Sequence, residues 1–105
     1  MNAQNCPGLV GIAMRAGKLV LGEDACLDSI RAGSAQLVLI DEGVSPGTFK
    51  RFSDACASHD TALAVIKAGQ LGHMIGKESR LTAVVRDQGF AHGIQKSLSK
   101  QNGNA

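Results

Sequence analysis

Short apolar runs recur along the chain between longer segments of mixed polarity. Residues 37–40 (LVLI) form a continuous apolar run, which is typical of a strand buried on both faces of a sheet. Residues 18–21, 61–66 and 81–85 have the same short apolar character. The pattern therefore predicts a sheet of four short strands.

Between these runs, apolar residues recur at the spacing of a helix. After Pro7, residues Leu9, Ile12, Ala13 and Ala16 repeat at i, i+3, i+4 and i+7, which predicts a helix with one apolar face. Further helices are predicted after Gly22, from the Ser45-Pro46 cap, over 68–75, and from Phe90 to Leu98. This alternation of helices and strands favours one sheet covered by helices on both faces, an α/β fold.

The length and composition predict one globular domain. The chain has 105 residues, and its hydrophobic content of 44% includes no run long enough to cross a bilayer. We expect a single domain over 1–105, with a core at about 7–98 and a frayed polar tail at 99–105. The first residues show no basic region followed by an apolar one, so we expect a soluble cytoplasmic protein without a signal peptide.

Cysteines and aromatic residues argue against three further classes of protein. The three cysteines are odd in number and none forms a CxxC pair, so neither a disulfide framework nor a zinc knuckle is predicted. The chain has three Phe, no Trp and no Tyr. Binders that stack single-stranded bases on exposed rings are therefore disfavoured. The net charge of +2 is too small to indicate a nucleic-acid binder by itself.

The stretch LGHMIGKESRLT, residues 71–82, resembles a phosphate-binding loop but departs from that motif. Three residues separate Gly72 from Gly76 instead of four, and Glu78 follows Lys77 where a hydroxyl residue would hold magnesium. The predicted order is also helix to strand, whereas a phosphate-binding loop runs from strand to helix. No GxGxxG follows a predicted strand. The sequence therefore argues against a nucleotide site.

No catalytic arrangement is visible either. The histidines at 59, 73 and 92 do not stand beside an evident nucleophile, and the chain contains no GxSxG. The acidic pairs Glu23-Asp24 and Asp41-Glu42 lie at predicted element ends, where we expect them to cap helices or solubilise turns. We therefore expect a protein that is not an enzyme, with no catalytic residue, no cofactor and no metal.

Two segments combine glycine with polar side chains at element ends. The segment LGED, residues 21–24, opens a helix whose first backbone N–H groups suit a phosphate or a base edge. The segment IGKESRLT, residues 75–82, offers Lys77 and Arg80 to phosphates and Ser79 and Thr82 as hydrogen-bond donors. Side by side, they would form a partly basic clamp without aromatic rings. The sequence leaves their adjacency open.

Four stretches resemble the bacterial YlxQ-type proteins, which belong to the superfamily of the archaeal kink-turn-binding large-subunit ribosomal protein. The stretches cover most of the chain: GLVGIAMRAGKLVLGED (8–24), IRAGSAQLVLIDEGVSPGT (30–48), LGHMIGKESRLTAVV (71–85) and DQGFAHGI (87–94). The resemblance implies a three-layer α-β-α sandwich with a four-stranded mixed sheet. It also implies non-catalytic binding of structured RNA, either a kink-turn or ribosomal RNA. We expect a monomer whose partners are structured RNA and the ribosome, with no membrane partner.

The resemblance implies two RNA-contacting segments. They comprise Gly22, Glu23, Asp24, Ala25 and Asp28 at the helix start, and Lys77, Glu78, Ser79, Arg80, Leu81 and Thr82 in the loop. In the superfamily, recognition combines the shape of the bent RNA with contacts to guanines and a flipped-out base. Arg15 and Lys18 are expected to extend this basic surface. Asp28 stands where well-characterised RNA binders of the superfamily carry a lysine.

A second interpretation assigns the acidic helix start to a protein partner. Glu23, Asp24 and Asp28 would then meet a basic surface on a ribosomal protein or on a transcription or translation factor, and kink-turn binding would have been lost. Both interpretations are electrostatic, so both predict steep salt dependence. Charge reversal separates them, since a lysine at position 28 favours RNA and disfavours a basic protein.

Overall fold

The computed structural model describes residues 5–77 and 79–103. Helices and strands alternate along the chain, as the apolar pattern predicts. In chain order the elements are α1 (Asn5–Arg15), β1 (Leu19–Leu21), α2 (Glu23–Arg31), β2 (Leu37–Asp41), α3 (Pro46–Ser58), β3 (Leu63–Ile66), α4 (Gln70–Ile75), β4 (Thr82–Val85) and α5 (Gln88–Gly103).

The strands form one mixed sheet in the order β1-β4-β2-β3. Strand β4 pairs antiparallel with both β1 and β2, whereas β2 and β3 run parallel. Leu39 in the middle of β2 lies opposite Ala83 of β4 and Ala64 of β3. The order places the chain's last strand between its first and second, so segments distant in sequence become neighbours.

Helices cover both faces of the sheet, which confirms the three-layer α-β-α sandwich. Alternate residues of β2 face opposite layers: Leu37 and Leu39 pack towards α1, α4 and α5, and Val38 and Ile40 pack towards α2 and α3. The strand is fully buried, as its continuous apolar run predicts. Burial of these side chains on both faces provides the main driving force for the fold.

Element boundaries differ from the predicted ones where backbone geometry overrides the apolar pattern. Helix α4 begins at Gln70 instead of residue 68, because Gly69 adopts a left-handed conformation at φ 81°. Helix α5 continues to Gly103, into the segment predicted to be a frayed tail. Ser45 caps α3 as predicted: its Oγ accepts the Thr48 N–H at 3.2 Å, with Pro46 at the first helical position.

Asp41 caps the start of α4, which is one of the two roles predicted for the pair Asp41-Glu42. It is the last residue of the strand and is fully buried. Its carboxylate accepts N–H groups from Gly43 at 2.7 Å, Gly69 at 3.1 Å and Leu71 at 3.2 Å, while its own N–H donates to the Leu81 carbonyl at 2.9 Å. Asp41 therefore joins the end of β2 to the start of α4 and to the residue before β4.

Candidate functional site

The sheet brings the two polar segments together. Strands β1 and β4 pair with Leu21 opposite Ala83, so Gly22, which follows β1, lies beside Thr82, which begins β4. A cleft of about 210 Å³ opens between them. Its lining comes from both segments and from the start of α3: Gly22, Glu23, Val44, Ser45, Thr48, Ser79, Arg80, Leu81 and Thr82.

Gly22 shapes the entrance to α2. Its φ of 96° lies in a region that side-chain-bearing residues rarely adopt. The Gly22 carbonyl accepts the Cys26 N–H at 2.9 Å, and no side chain caps the helix. The first-turn N–H groups of Glu23, Asp24 and Ala25 therefore remain available at this end of the helix.

Glu23 is held by α3 across the cleft. Its carboxylate accepts the Thr48 hydroxyl at 2.9 Å and the Arg51 Nη1 at 3.1 Å. Ser45 completes the network, since its Oγ lies 3.1 Å from the Thr48 Oγ1. The negative charge of Glu23 is thus balanced by Arg51 before any ligand arrives.

Sequence reasoning missed the α3 side of the cleft. Val44, Ser45 and Thr48 line it, and Arg51 supports it from behind. The Ser45-Pro46 signal located the start of α3, but it carried no information on which element would lie beside it. Arg51 follows Thr48 at i+3, so the two side chains lie on one face of the helix. This spacing was the one feature of the sequence that could have paired Arg51 with the cleft residue Thr48.

The second segment presents its charges to solvent. Gly76, at φ 87°, ends α4, and the Lys77 N–H donates to the Gly72 carbonyl at 2.9 Å. Lys77, Ser79 and Arg80 are exposed, and Ser79 and Arg80 line the cleft. Lys77 lies just outside the lining, and Glu78 lies outside the described residues.

Leu81 and Thr82 continue the second segment into the sheet. Leu81 is 37% exposed and forms an apolar part of the wall together with Val44. Thr82 is buried, at 5% exposure, at the floor of the cleft. The cleft therefore combines a basic rim with a mixed apolar and hydroxyl-bearing interior.

The remaining predicted site residues lie on the outer side of α2. Asp24 and Ala25 are exposed. Asp28 is not among the residues that line the cleft. Its side chain is 79% exposed, and its Oδ1 lies 3.7 Å from the Arg31 Nη1. An exposed pair at this distance is weak. The structure therefore separates the acidic residues into Glu23, which is compensated inside the cleft, and Asp24 and Asp28, which face solvent.

Lys18 lies at the wrong end of β1 to extend the cleft surface. It precedes the strand, whereas Gly22 follows it. The Lys18 carbonyl accepts the Arg86 N–H at 2.9 Å, beyond the end of β4 that is remote from the cleft. Arg15, in the last turn of α1, lies three residues before it. The expectation that Lys18 extends the basic rim is therefore wrong. The Arg15 Nη1 lies 3.8 Å from the Cβ position of Gly11, on the side of α1 that faces Met74 of α4.

Cys26 lies at the junction between the two segments. Its Sγ donates to the Val20 carbonyl at 3.3 Å, and the side chain is fully buried. Burial raises the pKa of the thiol to about 11, opposed by hydrogen bonding to Thr82 and Val84 and by the positive charge of Arg80. The thiol is therefore protonated at neutral pH and is a poor nucleophile.

Neither a metal centre nor a membrane-spanning helix occurs in the described part of the chain. Over residues 5–77 and 79–103, no three His, Cys, Asp or Glu side chains converge in a way that could hold a metal ion. Within the same ranges, no helix combines the length and apolar character needed to cross a membrane.

Similar proteins share both the sequence and the fold. RNA-binding protein YlxQ of Bacillus subtilis strain 168 is 41% identical over 87 residues, covering 82% of this chain and 87% of the relative. RNA-binding protein YlxQ of Enterococcus faecium is 33% identical over 91 residues, covering 86% and 87%. A solved protein of unknown function from Bacillus halodurans C superposes with a TM-score of 0.85 at 29% identity, covering 90% of this chain and 96% of that one.

A more distant structure extends the likeness in fold. The Giardia lamblia 15.5kD RNA binding protein superposes with a TM-score of 0.75 at 16% identity, covering 94% of this chain and 86% of that one. The family model described as "Ribosomal protein L7Ae/L30e/S12e/Gadd45 family" matches residues 4–94. The resemblance seen in the sequence is thereby confirmed, and the chain belongs to the ribosomal protein L7Ae/L30e/S12e/Gadd45 family as a bacterial YlxQ-type member.

Proposed function

We propose that this chain is a non-catalytic RNA-binding protein that holds structured RNA, a kink-turn or a ribosomal RNA element, at the cleft between α2 and β4. The observation that carries the proposal is the meeting of Gly22-Glu23 with Ser79–Thr82 around one cleft. Both segments are those that the family resemblance implies as RNA contacts. The names of the two YlxQ relatives support RNA as the ligand.

The rim of the cleft would bind the RNA backbone. Arg80 at the rim and Lys77 just outside it are exposed cations, and phosphate contacts by such side chains provide most of the affinity of nucleic-acid binders. The uncapped N–H groups at the start of α2 would add neutral donors. Arg51 makes this possible, because its pairing with Glu23 lowers the repulsion that a phosphate would otherwise meet.

The interior of the cleft would accept an unpaired base. Val44 and Leu81 offer apolar contact, and Ser45, Thr48 and Ser79 offer hydroxyl groups to base edges. A base inside a duplex cannot reach such groups, whereas a base displaced from a bent internal loop can. RNA shape would therefore determine selectivity more than base sequence. A protein of this kind would act in the cytoplasm, where translation takes place.

The proposal is tested by titrating the protein against a kink-turn RNA and an unkinked duplex of equal length near physiological salt. We expect tighter binding to the kink-turn, because only that RNA presents an unpaired base beside a sharp bend. Equal and weak binding to both RNAs would contradict kink-turn recognition and move the search to ribosomal RNA.

Asp28→Lys separates RNA from a basic protein partner. Position 28 is exposed on the outer side of α2 and its ion pair is weak, so the substitution leaves the core intact. Under the RNA proposal we expect affinity to rise severalfold, since a repulsion becomes an attraction of about 1 kcal/mol. Unchanged RNA binding would show that RNA does not approach position 28, and loss of binding to a basic protein partner would favour the protein-partner interpretation.

A further inference from the structure

Charge is distributed unequally between the two helical layers. Helices α2 and α3 carry acidic residues at four positions, 23, 24, 28 and 54. Their three cations are all engaged in ion pairs: Arg31 with Asp28, Lys50 with Asp54, and Arg51 with Glu23. This layer therefore presents little uncompensated positive charge.

The helices of the opposite layer carry no acidic residues. The segments that form α1, α4 and α5 contain no Asp or Glu, and Arg15 and Lys96 are exposed on them. Helix α1 lies between α4 and α5, and a glycine at each of its two contacts permits close packing. A Cβ at Gly11 would lie 3.5 Å from the Met74 carbonyl oxygen, and one at Gly93 of α5 would lie 3.4 Å from the Leu9 side chain.

Two cations lie side by side where this layer meets the end of the sheet remote from the cleft. Lys18 precedes β1 and Arg86 follows β4, and the Arg86 N–H donates to the Lys18 carbonyl at 2.9 Å. Both side chains are exposed, and no acidic side chain of the described ranges lies within 4.0 Å of their charged groups. Arg15 is not counted with them, because its Nη1 lies 3.8 Å from the Cβ position of Gly11, towards α4. We name Lys18 and Arg86 the distal patch.

The neighbouring acid does not neutralise the distal patch. Asp87 follows Arg86, but its Oδ1 accepts the Phe90 N–H at 2.9 Å at the start of α5. Its side chain is half-buried there. The patch therefore keeps a net positive charge, although the whole chain has a formal net charge of only +2.

The distal patch and the cleft would contact different segments of a ligand. Lys18 and Gly22 stand at opposite ends of β1, four residue steps apart, which is about 13 Å at strand spacing. Arg86 and Thr82 stand in the same relation on β4. A phosphate bound at Arg80 is therefore a different phosphate from any bound at Lys18.

We propose that the distal patch is a second RNA-binding surface, which contacts the phosphate backbone of an RNA segment other than the one in the cleft. Phosphate contacts need exposed cations and carry no sequence information. Protein interfaces instead place aromatic or large apolar residues at their centre. The exposed large apolar residues of the described ranges include none next to Lys18 or Arg86 in the sequence: Ile12, Phe49, Val65 and Leu81. This inference rests on the proposed function for the class of ligand, but uses residues outside the cleft.

The test neutralises the distal patch and measures RNA affinity over a range of salt concentrations. The variant is Lys18→Gln with Arg86→Gln, and its control is Lys50→Gln with Arg31→Gln, which removes the same charge from the paired layer. The probes are purified ribosomal RNA, which is long and folded, and a minimal kink-turn RNA that fills only the cleft. The logarithm of the binding constant falls linearly with the logarithm of the salt concentration. Removing one phosphate-binding cation reduces the steepness of that fall by about 1.

On ribosomal RNA, we expect the distal variant to reduce the steepness of the salt dependence by about 2, and the control variant to change it much less. On the minimal kink-turn RNA, we expect the distal variant to bind like the wild-type protein. Lysine acetylation provides a second readout. Ribosomal RNA should protect Lys18 and leave Lys50 reactive. An effect no larger than that of the control, or one equal on both RNAs, would overturn the proposal, as would protection of Lys18 by an acidic protein in place of RNA.

The outcomes for the cleft and for the distal patch are distinguishable. If Lys77→Gln with Arg80→Gln leaves binding unchanged while the distal variant reduces the steepness of the salt dependence, the cleft proposal fails and the distal patch stands. If the cleft variant alone reduces affinity, the cleft proposal stands and the distal patch fails. A wild-type protein that binds neither RNA overturns both.

Discussion

The two segments that border the cleft differ in charge and in how they are held. The segment that ends in Ser79–Thr82 exposes its cations to solvent, and its backbone is attached to the buried Asp41 through Leu81. The start of α2 carries anions, of which Glu23 is tied to Arg51 and Thr48. The charge read from a sequence therefore differs from the charge that a surface presents. An acid next to a binding loop is much less repulsive once another helix supplies its counter-charge.

The largest expected effect comes from reversing the basic segment. Lys77→Glu with Arg80→Glu should lower the affinity for a kink-turn RNA on the order of a hundredfold or more, because two attractions of about 1–3 kcal/mol become repulsions. The measurement is a binding titration at fixed salt. Lys50→Glu with Lys67→Glu is the control, since both residues are exposed and neither lines the cleft. Equal losses of RNA affinity in the two variants would show that the net charge of the protein, and not the position of its cations, determines binding.

The support beneath the basic segment is tested through Asp41. Asp41→Ala leaves three backbone N–H groups without their carboxylate partner, so we expect the free energy of unfolding to fall by about 3 kcal/mol. Urea denaturation measures this. Glu42→Ala is the neighbouring control, because Glu42 is exposed and accepts a single N–H from Ala68 at 3.3 Å. Similar losses in the free energy of unfolding for both variants would show that Asp41 does not anchor this segment.

Substitution of Arg51 tests whether this residue compensates the negative charge of Glu23 at the start of α2. Arg51→Ala should lower RNA affinity by about fivefold, since Glu23 would then face the ligand with a free charge worth about 1 kcal/mol. Glu23→Gln in the same chain should restore most of that loss. Lys50→Ala, on the same helix and paired with Asp54, should leave affinity unchanged. Failure of Glu23→Gln to rescue binding would mean that Arg51 contacts RNA directly.

The smallest expected effect concerns the junction at Cys26. Its pKa rises from 9.0 in the unfolded reference to about 11 in the fold. A raised pKa means that stability is intact below pH 9 and is lost as the pH rises towards 11. The loss is about 1 kcal/mol at pH 10. Urea denaturation at pH 7 and pH 10 checks this, with Cys26→Ala as the control that should lack this part of the loss. An identical pH dependence in both proteins would contradict the assignment.

The apolar pattern was sufficient for the helices, the strands and the α/β class because these follow from local patterns, whereas the mixed sheet was implied by the family resemblance. The fully buried β2 and the capped α3 were both evident from runs of residue types. The adjacency of Gly22 and Thr82 was not evident, because it depends on strand order. The long-range contacts of Asp41 and Arg51 were missed for the same reason. Their partners lie 28 or more residues away for Gly69, Leu71 and Glu23, and no local pattern encodes a contact of that range.

RNA binding at the cleft between α2 and β4 is best tested by NMR, which follows the backbone amide shifts of the labelled protein during titration with a kink-turn RNA. We predict the largest shifts at residues 22–25 and 79–82, with small shifts on the outer face of α3 around Lys50 and Asp54. Shifts confined to that outer face, with the two cleft segments unperturbed at saturation, would show that RNA binds elsewhere.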